Sequence, residues 1–281
     1  MRIALATCRR LPEPDPDQRP LLDALRSLGA DAQMLAWDDP SAEWGRFDLC
    51  VIRSTWNYHN HLPEFLAWAR KTSRKTKLLN PWKIVRWNCD KIYLKELEAS
   101  GIRTIPTEYY PRGGKRELRK IIAERGWTDV VIKPRVSASS FMTRRFNEGS
   151  MKSAERFLKE SSARRNMMIQ PYVRSVESRG ERSLVYIGGE LTHAVRKSPR
   201  LAQGRERVSS NMKIDADERR FAMRAIKPFR KDILYARIDV ARGEEGGLML
   251  MELELIEPSL FLWHEPGALA LLARRCLAAA R

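Results

Sequence analysis

The sequence predicts an open, doubly wound α/β sheet over about the first 80 residues, followed by strands, hairpins and helices in mixed order. Two observations carry the first half: the alternation of short apolar runs with helical patterns, and the nearly continuous apolarity of "FDLCVIRSTW". A strand apolar on both faces belongs inside a parallel sheet covered by helices. The second half rests on "RSLVYIGGELTHAVRK", which reads as a hairpin turning at Gly188-Gly189.

The elements follow in order. "RIALAT" is the first strand, and "RPLLDALRSLG" a helix whose apolar residues recur at helical spacing up to Gly29. "DAQMLAW" and "FDLCVIRSTW" are the next strands, and "LPEFLAWARK" the next helix. Ligands of such sheets sit beyond the carboxyl ends of strands, where Thr7 and the Arg53-Ser54-Thr55 turn fall. A Pro-punctuated connection leads to a helix over 90–100, stopped at Gly101. "RTIPTEYY" is extended, 115–125 a helix, "TDVVIKP" a strand ended by Pro134, and "RRFN" a return strand. A polar helix over about 150–163 precedes the strand "NMMIQPYV". "ILYARIDVARGEEGGLMLMELELI" is the last sheet segment and "GALALLARRCLAAA" a closing helix.

Composition narrows the class. With 281 residues, 43% hydrophobic and eight Trp, the chain is globular and long enough for more than one domain. No apolar run reaches the roughly 18 to 20 residues of a membrane span. "MRIALATCRR" does not read as a signal peptide. The four cysteines are scattered without a C-x-x-C pair, which argues against a zinc site or a disulfide framework and for a reducing, cytoplasmic setting. The net charge of +17 favours anionic partners, with basic clusters at 70–77, 112–120 and 196–207. Most of this charge is expected to be solvated surface. An acidic peptide or protein partner and a homodimer stay open, and nucleic acid is not the expected partner.

Against this excess stands "MELELIEPS", where Glu252, Glu254 and Glu257 interrupt apolar sequence. Taking 233–241 and 248–256 as antiparallel strands joined by "RGEEGG" puts Arg237 across from Glu252 and Asp239 across from Leu250. Period-two alternation then gathers Asp239, Glu252 and Glu254 on one face with Arg237 among them. Glu257 has the opposite parity and is expected to play a different part. Three carboxylates on one apolar face repel unless something positive joins them. Mg²⁺ is a hard ion suited to one or two carboxylates plus phosphate oxygens, and two such ions bridge a nucleoside triphosphate. The hairpin alone leaves a half-exposed strand with solvated Glu side chains equally open. Lys133, before the small-residue turn Ser137-Ala138-Ser139-Ser140, adds a phosphate cradle or an ordinary strand-end cation. Neither the P-loop nor the G-x-G-x-x-G pattern occurs.

Five segments in order, "VIRSTWNYHNHLPEFLAWA", "LLNP…RWNCDKIYLKEL", "VVIKP…SAS", "IQPYV…RGERSLVYIGGELTHAVRK" and "YARIDV…MELELIEPS", resemble the ATP-grasp superfamily. The likeness is to its glutathione-synthetase-like branch, which includes the O-ureidoserine cyclo-ligase of cycloserine biosynthesis. The resemblance implies a Rossmann-like N-terminal domain (1–85) and a two-lobed α+β ATP-grasp domain, with a central lobe (86–168) and a C-terminal lobe (169–281). It implies an ATP- and Mg²⁺-dependent carboxylate–amine ligase working through an acyl phosphate on a small amino-acid-like substrate. Lys91 and Lys133 match lysines that hold the phosphates. The segment from Ser137 through Ser139 and Ser140 to Thr143 matches the covering loop. Gln170, Pro171, Tyr172 and Val173 match the adenine-reading hinge, and Glu181 the acid near the ribose. Lys197 and Arg237 would meet the transferred phosphate, and Asp239, Glu252 and Glu254 would bind metal, with two Mg²⁺ ions expected.

Two departures bear on the substrate. Ser139-Ser140 replaces the usual Gly, which stiffens loop closure. Asn57 stands where "RSTWDYH" relatives carry an acid, while Arg53, Ser54 and Thr55 would hold a substrate carboxylate or form an ordinary strand-end turn. His59 and His61 are expected on a surface loop, His193 in a structural role, and Trp82 and Trp87 in core packing. Two other readings remain: amino-acid addition to a peptide or protein tail, and a nucleotide- or nucleic-acid-binding protein with a non-catalytic grasp fold.

Overall fold

A computed structural model describes residues 1–198 and 208–281, whose strands form three sheets. Most of the basic stretch 196–207 lies outside the described residues.

The N-terminal sheet is parallel, with strand order β2-β1-β3-β4, from β1 (Arg2–Thr7), β2 (Asp31–Ala36), β3 (Leu49–Ile52) and β4 (Lys77–Leu79). All four residues of β3 are buried, because each face of the sheet has its own cover. Ile3, Leu5, Leu49 and Val51 pack on α1 (Gln18–Ser27) and on the closing helix α9 (Pro266–Ala279). Ala4, Ala6, Cys50 and Ile52 share a cluster with Phe65 and Ala69 of α2 (Leu62–Thr72). The last helix of the chain therefore completes the first sheet.

The central sheet is antiparallel, order β5-β8-β6-β7, from β5 (Glu108–Tyr110), β6 (Val130–Pro134), β7 (Arg144–Phe146) and β8 (Met167–Pro171). Val130, Ile132 and Ile169 bury against Ile121 of α5 (Leu118–Arg125) and Phe157 and Leu158 of α6 (Met151–Ser162). The C-terminal sheet has order β11-β10-β9-β12-β13. Its strands are β9 (Glu181–Ile187), β10 (Glu190–Lys197), β11 (Val208–Met212), β12 (Tyr235–Arg242) and β13 (Leu248–Glu254). The short helix α7 (Ser175–Arg179) precedes it.

Several elements depart from the sequence reading. β4 and α3 (Trp82–Asn88) occupy the stretch read as a connection, and α4 (Tyr93–Ala99) is the helix expected after it. Ile84, Tyr93, Leu94 and Leu97 pack with Leu184, Ile238 and Leu253, so this segment backs the C-terminal sheet. β8 runs through position 168, and β11 and α8 (Ala216–Ala225) are additional elements.

The β12–β13 register also differs. Arg242 pairs with Leu248, leaving a five-residue loop closed by Gly243 N–H donating to the Gly247 carbonyl at 2.8 Å. Such a one-residue slip would turn the acids away from Asp239. A bulge restores them: Val240 pairs with Leu250 but Asp239 with Glu252, so Met251 is the extra residue. The final pairs are Asp239 with Glu252 and Arg237 with Glu254.

Buried amides seat the sheets on one another. Asn80 donates to the carbonyls of Tyr235 (2.9 Å) and Leu255 (2.7 Å) and accepts from Leu234 N–H (2.7 Å). Asn88 does the same for Leu253 and Leu255 on β13 and its extension.

Candidate active site

A cleft of about 240 Å³ lies where the central and C-terminal sheets face each other, with the segment after β3 closing one end. At the opposite end, Val131, Tyr172, Val173, Val176, Ala241 and Met251 form an apolar cluster, five of them lining the cleft. The bulge at Met251 thus supplies both an apolar wall residue and the register of the acids beside it. Gln170 and Pro171 complete this end, with Gln170 Nε2 donating to Thr107 Oγ1 at 2.9 Å.

Towards the middle the cleft becomes charged. Lys133 Nζ donates to Glu252 Oε1 at 2.6 Å, and Lys91 Nζ lies 3.7 Å from Glu252 Oε2. Lys91 Nζ also donates to the Ser137 carbonyl (2.9 Å) and hydroxyl (3.1 Å), which ties the start of the 137–143 loop to this lysine. Ser139, Ser140 and Met142 hold φ of 47°, 57° and 53°, the left-handed region that glycine enters freely and other residues enter at a cost.

Deeper still, Asp239 accepts from Ser183 Oγ (2.6 Å), Lys197 Nζ (3.0 Å) and Arg237 (2.8 Å). Arg237 also pairs with Glu254, and Lys197 with Glu181. Burial alone would raise every one of these acids. Lys133 and Lys91 overcome it at Glu252 and hold its pKa down to about 2. Arg237 and Lys197 likewise keep Asp239 below the usual range. At Glu254 and Glu181 burial prevails over the cation, and Glu181 stands at about 7.

These donors fit a hard divalent ion. Asp239, Glu252 and Glu254 offer carboxylate oxygens on one face, and Mg²⁺ takes one or two carboxylates together with phosphate oxygens. Among the described residues no three His, Cys, Asp or Glu side chains converge into a protein-only cage. Each acid is paired instead with a cation of the same cleft.

A family model described as the N-terminal domain of D-cycloserine synthetase DcsG matches residues 3–80. The cycloserine biosynthesis protein DcsG of Streptomyces lavendulae is 34% identical over 272 residues, 91% of each chain. A crystal structure of D-cycloserine synthetase DcsG aligns with a TM-score of 0.90 at 30% identity, covering 100% of both chains. The chain belongs to the DcsG family of ATP-grasp ligases. An ATP-grasp RimK domain protein from Sphaerobacter thermophilus shares the fold at 18% identity, with a TM-score of 0.71 over 98% of each chain. So does the ATP-grasp ligase PsnB complexed with a phosphomimetic variant of its minimal precursor, Mg and ADP, at 16% identity and a TM-score of 0.66, covering 99% of this chain and 98% of that one.

In this ATP-grasp ligase the residues read as nucleotide-, metal- and phosphate-contacting all line the one cleft. The four read as substrate-contacting do not. Arg53 is buried beneath it, donating to the Pro258 carbonyl at 3.0 Å and lying 3.7 Å from Asp17. Ser54 donates to Asp15, and Thr55 is fully buried. Asn57 bridges Trp37 Nε1 (2.7 Å) and Asp38 (2.8 Å). Through these contacts the turn after β3 fastens the N-terminal domain, while Arg53 Nη1 and Thr55 Oγ1 are buried without a hydrogen-bond partner. His59 corrects the sequence reading. It is buried, not on a surface loop; its Nδ1 lies 3.0 Å from the Trp56 carbonyl and its ring packs on Phe141 of the 137–143 loop. His193 is structural, 2.9 Å from the Leu260 carbonyl through Nε2, and Trp87 packs on Tyr93 and Phe229.

Sequence reasoning passed over other cleft residues: Trp56 and Tyr58 after β3, Asn88 and Tyr93 near α4, and Ser259 and Phe261 after β13. Within the motif "STWNYH", the aromatic positions Trp56 and Tyr58 are the ones that line the cleft.

Proposed function

We propose that this ligase joins a carboxylate to an amine through an acyl phosphate, consuming ATP with Mg²⁺, on a small amino-acid-like substrate. The observation that carries the reading is the interleaving of Lys91, Lys133, Lys197 and Arg237 with Asp239, Glu252 and Glu254 under one loop. A substrate carboxylate oxygen attacks the γ-phosphorus and ADP leaves. An amine nitrogen then attacks the acyl carbon, releasing inorganic phosphate and a proton. Such chemistry needs charge compensation and exclusion of water more than a side-chain nucleophile.

The roles divide by position. The apolar slot at Val131, Val176 and Met251 receives the adenine, with the backbone of 170–173 along its edge. Lys91 and Lys133 turn from Glu252 to the phosphates, and Lys197 and Arg237 offset charge on the transferred group. Asp239, Glu252 and Glu254 would hold Mg²⁺, with two ions the expected number, and the metal would supply neutralisation of phosphate charge. The loop 137–143 covers the phosphates and excludes water. Four buried free cysteines fit a reducing, cytoplasmic setting.

A peptide or protein acceptor gains no support from the basic cluster 112–120. Arg116 pairs with Glu108 and Glu124, Arg119 with Glu155, and Lys120 with Glu117, so much of that charge is satisfied within the lobe. Phosphate release with MgATP, screened across amino acids and small peptides with hydroxylamine present, tests the reading. Hydroxamate from a free amino acid is the expected product; ATP-dependent stimulation by peptides alone would replace the small-substrate reading.

A further inference from the structure

Five carboxylates of the C-terminal sheet and its extension line the cleft: Glu181, Asp239, Glu252, Glu254 and Glu257. The first four are each tied to a cation. Glu257 is different. Only 9% of it is exposed, yet among the described residues no hydrogen bond or ion pair from another residue reaches its carboxyl. A buried carboxyl without a partner is costly and calls for an explanation. Burial and the neighbouring Glu254 push it up to about 8.

The backbone around Glu257 is fixed at successive points. The carbonyl of Ile256 accepts from Tyr235 OH (2.8 Å), that of Glu257 from Trp56 Nε1 (2.8 Å) and that of Pro258 from Arg53 (3.0 Å). The Ser259 carbonyl accepts from Arg237 Nη1 (3.3 Å), and Leu260 and Leu262 N–H donate to Asp17 (2.8 and 2.7 Å). The carboxyl thus projects from a rigid shelf bonded to the N-terminal domain on one side. On the other side the shelf is bonded to Arg237, the cation assigned to the transferred phosphate. Trp56 and Tyr58 line the cleft beside it, at the end away from the adenine slot. A fixed, largely buried acid next to the reacting end, with no partner from another residue, is pre-organised for a cationic hydrogen-bond donor.

We propose that Glu257 anchors a primary ammonium of the substrate, so that the ligase selects free amino acids over their N-blocked counterparts. The inference rests on the proposed ligase function and adds the group that reads the substrate's amine. Asp239, Glu252 and Glu254 cannot serve, since they are committed to cations and metal. The fastened Asn57 cannot either, since it lies outside the cleft.

The test compares ADP release by the full chain with MgATP and an equimolar mixture of the twenty proteinogenic amino acids with D-alanine and D-serine, against the same mixture N-acetylated. The wild type is expected to respond at least about tenfold more to the free amines. E257Q should raise KM for them by about 10- to 100-fold, the loss of one charge-assisted contact, with the melting shift given by MgATP unchanged. E257D, which keeps the charge one methylene back, should retain the preference with a smaller rise in KM, and it guards against a misfolded Gln variant. Equal response to both mixtures, response to neither, or an E257Q variant with wild-type KM would overturn the proposal. A wild-type protein showing no melting shift with MgATP would separately overturn the ligase reading beneath it.

Discussion

Asp239 lies directly across the terminal hairpin from Glu252, and it does so because Met251 bulges out of register between Leu250 and Glu252. A five-residue loop without the bulge would pair Asp239 across a shift of one residue and turn Glu252 and Glu254 to the opposite face. The shared face of the three acids is thus a product of two irregularities that cancel.

Deleting Met251 should therefore abolish stabilisation by MgATP, while inserting one Gly between Glu244 and Glu245, in the loop outside the ladder, should leave it within about 1 °C of the wild type by linkage. Thermal melts with and without MgATP check both. A Met251 deletion that keeps the nucleotide shift would show that the acids' face does not matter.

Glu252 pairs with both Lys91 and Lys133 in the cleft. Glu252→Gln should free both for phosphate, strengthening ADP binding in EDTA by about 3- to 10-fold, since one charged hydrogen bond is no longer in competition. The same change should cut Mg²⁺-dependent ADP release at least about 100-fold. Titration calorimetry and a coupled ADP assay read the two arms, and parallel losses in both would refute the exchange of partners.

Asn80 makes three hydrogen bonds from a fully buried position between the N-terminal domain and the C-terminal sheet. Asn80→Ala leaves two carbonyls and an N–H unpaired, and should cost about 2–4 kcal/mol in urea unfolding. A loss below about 1 kcal/mol would mean that the clasp is dispensable.

His59 donates from Nδ1 to the Trp56 carbonyl, so its buried Nε2 carries the lone pair and has no partner. Burial, with Arg165 and Lys91 nearby, lowers its pKa to about 4. The unfolded chain binds this proton more readily, near pH 6.5, so stability falls as pH drops from about 6.5 to 4. The loss is on the order of 2 kcal/mol once solvent screening is allowed for. His59→Phe should flatten this part of the stability–pH curve. An unchanged slope would place the titration elsewhere.

The fold was legible where periodicity is long or both faces are buried, as in β3, α1 and the β9–β10 hairpin. It was illegible where elements are short: β4 has three residues and α3 seven, too few for a period to emerge. Helix α8 carried a readable start, Asp215 and Glu218 in a capping box, behind a strongly basic sequence that masks its apolar face. The shared face of Asp239, Glu252 and Glu254 was inferred from parity, and parity survived because loop and bulge each shift it once. The Arg53–Asn57 segment was ambiguous because polar residues at a strand end look alike whether they meet a ligand or a neighbouring domain. Its tertiary contacts with Asp17, Asp38 and Pro258 span long stretches of sequence and leave no local pattern.

The central claim is that the cleft exchanges its internal ion pairs for MgATP at the carboxylate face. The most direct measurement is ADP release against Mg²⁺ concentration for the wild type, Asp239→Asn and Glu252→Gln, each checked for wild-type circular dichroism. The account requires saturable Mg²⁺ dependence in the wild type and at least about a 100-fold loss in both variants. Wild-type turnover by either variant would contradict it.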